Sequence, residues 1–303
     1  MKPYRNPYRF CQPEVIMCNK APESPLKEIL SAAEKLPSLP RVILTVNAML
    51  QNPDTRTQDL SRIIEKDISL VTRILKLVNS AFFGLRSTVG NIPDAVSLLG
   101  FDTLHRLTLS LSILDILGPS KKMPGDWLWP HSIRTAVFCE YLAMKTKLCR
   151  PDDAFVAGLL HDIGLIVLAR CMPEVFISLE EKSKETGKPF FLMEASVISD
   201  FSHADMGAAM ALKWQLPPAL KQAIAQHHRL PENNIPPLSL LVHTANMLEN
   251  QRDLVRNEIP AGMLHPLAIK KMKSILKNPH IWFPPLHEKG MEACHLFLGG
   301  SHG

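Results

Sequence analysis

The chain has 303 residues, a net charge of +5, and 46% hydrophobic against 21% charged residues. That balance excludes wholesale disorder and allows one large or two small domains around a substantial core. The basic excess is mild and spread along the chain, apart from Lys270, Lys271, Lys273 and Lys277, where no aromatics interleave with the charges. A basic surface helix is expected there, and a nucleic-acid partner is not. The six cysteines, at 11, 18, 139, 149, 171 and 294, form no CxxC pair, and Cys139, Cys149 and Cys171 lie in or beside apolar helical segments. They read as small hydrophobes in a reducing compartment. The opening MKPYRNPYRFCQPEV has no apolar run of a signal peptide. No apolar stretch is expected to span a bilayer; the best, residues 155–169, is interrupted by His161 and Asp162. A cytoplasmic protein without membrane contact is expected.

In chain order, Pro3, Pro7, Pro13, Pro22 and Pro25 make residues 1–25 a tail. From there the helical period dominates. Leu60, Ile63 and Ile64 share one face, and Leu70, Val71, Ile74, Leu75 and Val78 form one stripe. Asp67 and Asp102 stand where N-caps belong, and Gly100 and Gly118-Pro119 where helices should stop. The Gly118–Gly125 stretch, with two prolines and two lysines, separates a front helical subdomain (26–117) from a second one (126–250). Residues 251–303 form a C-terminal extension with helices expected near 265–277 and 286–297. Alternation of the kind strands need is missing, so the expected fold class is all-α. No fixed-period repeat is present.

Within the second subdomain, Pro151 suits a first helical position, and Asp152 and Asp153 complement the positive helix end. Residues 155–169 are apolar nearly all round and should be central. That segment carries His161 and Asp162. A buried carboxylate costs several kcal/mol unless compensated, so a salt bridge, a hydrogen-bond network or a metal must accompany Asp162. The other candidates are His131 in a first helical turn, His203 beside the capping box Ser202-His-Ala-Asp205, His227 and His228 at a helix end, and His243 and Asn246 on a later amphipathic helix. Singly, each also reads as a cap neighbour, a C-terminal cation or a solvated group. His105, His265, His280, His287, His295 and His302 show no constellation.

The order of these residues resembles a known family. His131, then Gly-Leu-Leu-His161-Asp162-Ile-Gly, then His203 in His-x-x-x-Gly, then His227-His228 is similar to the HD superfamily of metal-dependent phosphohydrolases. More specifically, the chain resembles the HDOD proteins, the HD-related output domains of bacterial signalling. Leu36-Pro-Ser-Leu-Pro40, Ile64-Glu-Lys-Asp67, Leu75–Gly84, Ile92–Gly100 and Trp214–Pro217 carry the rest of the likeness, which spans about 36–250.

The resemblance implies an HD-like helical core with an added N-terminal helical subdomain, acting in signal transduction by binding a signalling partner. It also implies a metal-ligand set: His131, His161 and Asp162 at the core positions, His203, His227 and His228 near the extra histidines of binuclear members, and Asn246 where a closing Asp is expected. The cofactor would be a divalent transition metal such as iron, manganese, zinc or nickel. An amide is a weaker ligand than a carboxylate for hard cations. Leu165 replaces the lysine that follows His-Asp-Ile-Gly in HD-GYP phosphodiesterases, and the Gly-Tyr-Pro segment of that class is missing after His228. These departures favour binding over catalysis. The alternative is a metal-dependent phosphohydrolase acting on a nucleotide or phosphodiester. No receiver, diguanylate cyclase or helix-turn-helix segment is recognisable.

Overall fold

The computed structural model describes residues 44–46, 49, 56–80, 83, 85, 87–120, 123–198, 201–251 and 263–298. The expected tail and the Leu36–Pro40 motif lie outside the described residues, as do parts of the Leu75–Gly84 motif. Every regular element described is a helix.

The front part holds α1 (Thr57–Ile64), α2 (Ile68–Val78), α3 (Ile92–Leu99) and α4 (Phe101–Leu117). Asp67 caps α2 by accepting from the Leu70 amide at 3.0 Å, and Asn91 caps α3 from the Asp94 amide at 2.8 Å. Leu60, Ile64, Ile74 and Ile92 are fully buried between these helices. The second part begins with α5 (Leu128–Thr146), which packs along α6 (Pro151–Leu160). Then follow α7 (Ile163–Cys171), α8 (Pro173–Thr186), α9 (Phe190–Val197), α10 (His203–Lys213), α11 (Pro218–Gln226) and α12 (Pro237–Glu249). Finally come α13 (Pro266–Leu276) and α14 (Pro279–Leu298).

Three expectations need correction. Residues 155–169 are not one helix: α6 ends at Leu160, His161 and Asp162 form a turn, and α7 starts at Ile163. Asp102 is not the N-cap of α4. Gly100 holds that place with φ +84°, and Asp102 sits in the first turn, where it pairs with Arg150. The combined run Pro151–Cys171 is, by length and composition, apolar enough to cross a membrane. However, 89% of its most apolar stretch is buried inside the protein, as befits a central core segment.

The front part is fixed to the second by polar contacts at both ends of α4. Arg106 Nε donates to Asp153 Oδ1 at 2.6 Å, and Thr103 Oγ1 donates to Asp152 Oδ2 at 2.7 Å. At the far end of α4, Trp129 Nε1 donates to the Leu117 carbonyl at 2.8 Å from a fully enclosed position. The first turn of α5, which carries His131, is anchored by that bond.

Candidate metal centre

Asp162 occupies the N-cap position of α7 yet makes no capping bond with its side chain. Aspartate at such a position usually satisfies a helix-end amide; here its carboxylate turns inward to a ring of imidazoles. Oδ2 faces His131 Nε2 at 3.5 Å and His161 Nε2 at 3.3 Å. Oδ1 faces His203 Nε2 and His227 Nε2, each at 3.3 Å. One carboxylate thus bridges two histidine groups. His228 joins the second group, with its Nε2 3.1 Å from His203 Nε2.

The local sequence explains how four helices deliver these groups to one point. Gly164 lies where α7 crosses the start of α10: a Cβ there would stand 1.9 Å from the His203 carbonyl oxygen. Only glycine permits that approach, so the Gly of His-Asp-Ile-Gly brings His203 to Asp162. The Ser202–Asp205 capping box expected from sequence is present and fixes the entry of α10. His227 and His228 follow the last turn of α11, and His243 Nδ1 donates to the His227 carbonyl at 2.8 Å. His228 also stacks on Phe191, with ring centroids 4.2 Å apart.

The far nitrogen of four of the five rings is held from behind. His161 Nδ1 donates to the Gly158 carbonyl at 2.7 Å, and His227 Nδ1 to the Ile224 carbonyl at 2.6 Å. His203 Nδ1 meets Glu194 Oε1 at 2.5 Å, and His131 Nδ1 meets Glu249 Oε2. Each bond leaves Nε2 as the inward-facing atom, the arrangement that metal-ligating histidines adopt. Sequence reasoning missed Glu194 and Glu249. The available signal was a lone carboxylate within an apolar helix, Phe190–Val197 in one case and Pro237–Glu249 in the other.

Electrostatics follow from burial. His131, His161, Asp162, His203 and His227 are all between 0% and 3% exposed. Burial alone would raise the Asp162 carboxyl, but the His161 charge and the contacts from His203 and His227 hold it well below the usual carboxylate range. Burial opposes charging of His203, yet Glu194 and Asp162 push it up to about 10. Burial pushes His227 down to about 4 and His228 well below its ordinary value. Burial likewise opposes ionisation of Glu249, but His131 and Arg134 draw it down to about 2.

The donor set fits a divalent cation. His131 Nε2, His161 Nε2 and Asp162 Oδ1 are buried and make no hydrogen bond among the described residues, which is costly for polar atoms. The potential ligand atoms of His131, His161 and Asp162 lie within 4.8 Å of one another, as do those of Asp162, His203, His227 and His228. Imidazoles with one carboxylate suit first-row transition metals. Six of the seven expected site residues therefore converge. The seventh, Asn246, is buried on α12, and its side-chain oxygen accepts from Asn250 Nδ2 at 2.9 Å.

A helical core closed around a histidine–aspartate cluster defines an HD-type protein. The chain belongs to the HDOD domain family, which matches residues 36–230. It is 34% identical over 222 residues to an uncharacterized protein of Treponema pallidum (strain Nichols), covering 72% of this chain and 43% of that protein. It is 32% identical over 104 residues to the uncharacterized protein YuxH of Bacillus subtilis (strain 168), covering 34% of this chain and 25% of that protein. The chain thus spans less than half the length of these relatives. Among solved structures, it resembles a candidate phosphohydrolase from Shewanella amazonensis SB2B with TM-score 0.69 and 25% identity, covering 89% of this chain and 98% of that one. An HDOD domain protein of unknown function from Geobacter sulfurreducens shares the fold with TM-score 0.70 and 23% identity, covering 91% and 98%. A candidate signal transduction protein from Marinobacter aquaeolei VT8 does so with TM-score 0.72 and 20% identity, covering 90% and 66%.

Proposed function

We propose that this chain is a cytoplasmic signal-transduction output domain that acts by binding a protein partner, with its HD cluster retained as a metal-stabilised hub. The observation that carries this reading is closure. The bridging carboxylate and four of its imidazoles are buried to within a few per cent, whereas a phosphodiester must reach the metal directly to be hydrolysed. Leu165, buried one turn from Asp162, offers no charge to a phosphoryl group. Arg134, beside the site, is committed to Glu249.

A divalent ion held by His131, His161, Asp162, His203, His227 and His228 would supply Lewis acidity if substrate could reach it. The Asp162 bridge therefore favours a second reading, a metal-dependent phosphohydrolase acting on a nucleotide or phosphodiester. The two separate in one assay. Protein loaded with manganese or iron is tested on bis(p-nitrophenyl) phosphate, cyclic dinucleotides and nucleoside phosphates, alongside Asn246→Asp and His161→Ala. The binding reading expects background rates for all three proteins. Metal-dependent turnover that rises in Asn246→Asp and vanishes in His161→Ala would replace it with the hydrolase reading.

A further inference from the structure

Helix α14, the longest among the described residues, is accounted for by neither the family match nor the ligand set. It lies against α5 on both apolar and polar contacts. Phe283 meets Phe138 with ring centroids 5.4 Å apart, Trp282 stacks on Tyr141 at 5.8 Å, and Lys289 Nζ pairs with Glu140 Oε2 at 3.2 Å. In the same stretch, Gly290 is pressed onto Arg134: a Cβ at Gly290 would stand 3.0 Å from Arg134 Cγ and 3.4 Å from Arg134 Cβ. One turn further on, Cys294 Sγ donates to the Pro130 carbonyl at 3.5 Å. The backbone of α14 therefore forms the floor under the Arg134 side chain.

From that position Arg134 Nε donates to Glu249 Oε1. The other oxygen of Glu249 receives His131 Nδ1, whose Nε2 faces Asp162. The chain of contacts runs without a gap from α14 through Arg134 and Glu249 to His131. A carboxylate behind a ligating imidazole fixes its tautomer and ring angle and raises its basicity. The carboxylate can do so only while its own position is fixed.

We propose that Glu249, Arg134 and Gly290 are a positioning layer for His131, so that α14 is part of the metal centre although both it and Glu249 lie beyond residues 36–230. The proposal rests on the metal reading above. By linkage, metal in the site tightens the docking of α14, and whatever displaces α14 loosens the metal.

The test is a Co2+ titration of the metal-free full chain, followed by the ligand-field spectrum, in wild type, Glu249→Gln, Gly290→Ala and Gly290→Val. Glu249→Gln keeps the shape but removes the charge that holds both His131 and Arg134; Co2+ affinity should fall about 10–100-fold, with an altered spectrum. Gly290→Val should weaken binding in the same direction, and Gly290→Ala less, since its methyl need displace Arg134 by only a few tenths of an ångström. Amide exchange in α14 should slow on Co2+ loading in wild type and not in Glu249→Gln. A purely structural layer would instead lower the unfolding temperature of the metal-free variants and leave affinity and spectrum as in wild type, which would overturn the proposal while the metal reading stands. Wild type that takes up no Co2+ would end both. Should Gly290→Val fail to fold, Glu249→Gln and Gly290→Ala still decide the matter.

Discussion

At the scale of single residues, the histidines divide by what stands behind them. Each ligand-position imidazole has a carbonyl or carboxylate on Nδ1, except His228, which is held by its stack on Phe191. His105, on α4, has a different environment. Burial drives its pKa from 6.5 down to about 4, with the Arg106 charge adding to the effect and Asp102 opposing it. It is neutral when folded and takes up a proton when unfolded below pH 6.5. Its contribution is therefore fully present above pH 6.5 and lost as pH falls toward 4, on the order of 3 kcal/mol in all. His105→Leu should flatten the fall in unfolding free energy between pH 7 and pH 4; equal slopes for both proteins in denaturant titrations would show that His105 does not carry it. The six converging residues were legible only through the order of their motifs, since each histidine taken singly also reads as a cap neighbour or a solvated group. Glu194 and Glu249 were not, because a single acidic residue in or ending a helix reads as solvated until its burial is known.

At the scale of elements, close approach of helices decides whether the site assembles. Gly164 permits α7 to touch the first residue of α10, and Gly207 presents its own amide 2.8 Å from the same point. Gly164→Ala should drive α10 away from Asp162. Overpacking of this kind costs about 3 kcal/mol, and the distance from His203 to Asp162 should grow with it. Chemical denaturation and metal uptake should both report the loss; a variant that is as stable as wild type and binds metal equally would show that α10 is not held at this contact. The element pattern was largely readable from the apolar period and the caps at Asp67, Pro151 and Ser202. The break at His161–Asp162 was not, because 155–169 is apolar on every side and a helical period cannot mark a turn where no polar face exists. Nor was the placement of Asp102 in the first turn, where its partner Arg150 lies almost fifty residues away in the chain.

At the scale of the whole molecule, three bodies of sequence meet on α5 and α6. The front helices bind through Arg106–Asp153 and Thr103–Asp152, the HD core closes around Asp162, and α14 lies along α5 through Phe283, Lys289 and Gly290. The helical class was visible from the apolar period and the motif order. The role of the C-terminal helix was not, since its contacts depend on a glycine and an arginine more than 150 residues apart.

All of this turns on whether Asp162 and its imidazoles hold an ion. The most direct measurement is the metal content of tag-free protein by plasma mass spectrometry, for wild type and His161→Ala. The account predicts near-stoichiometric transition metal in wild type that is lost in the variant. Metal absent from both proteins after reloading with manganese, iron and zinc would contradict it and leave His161 and Asp162 as a buried hydrogen-bonding pair.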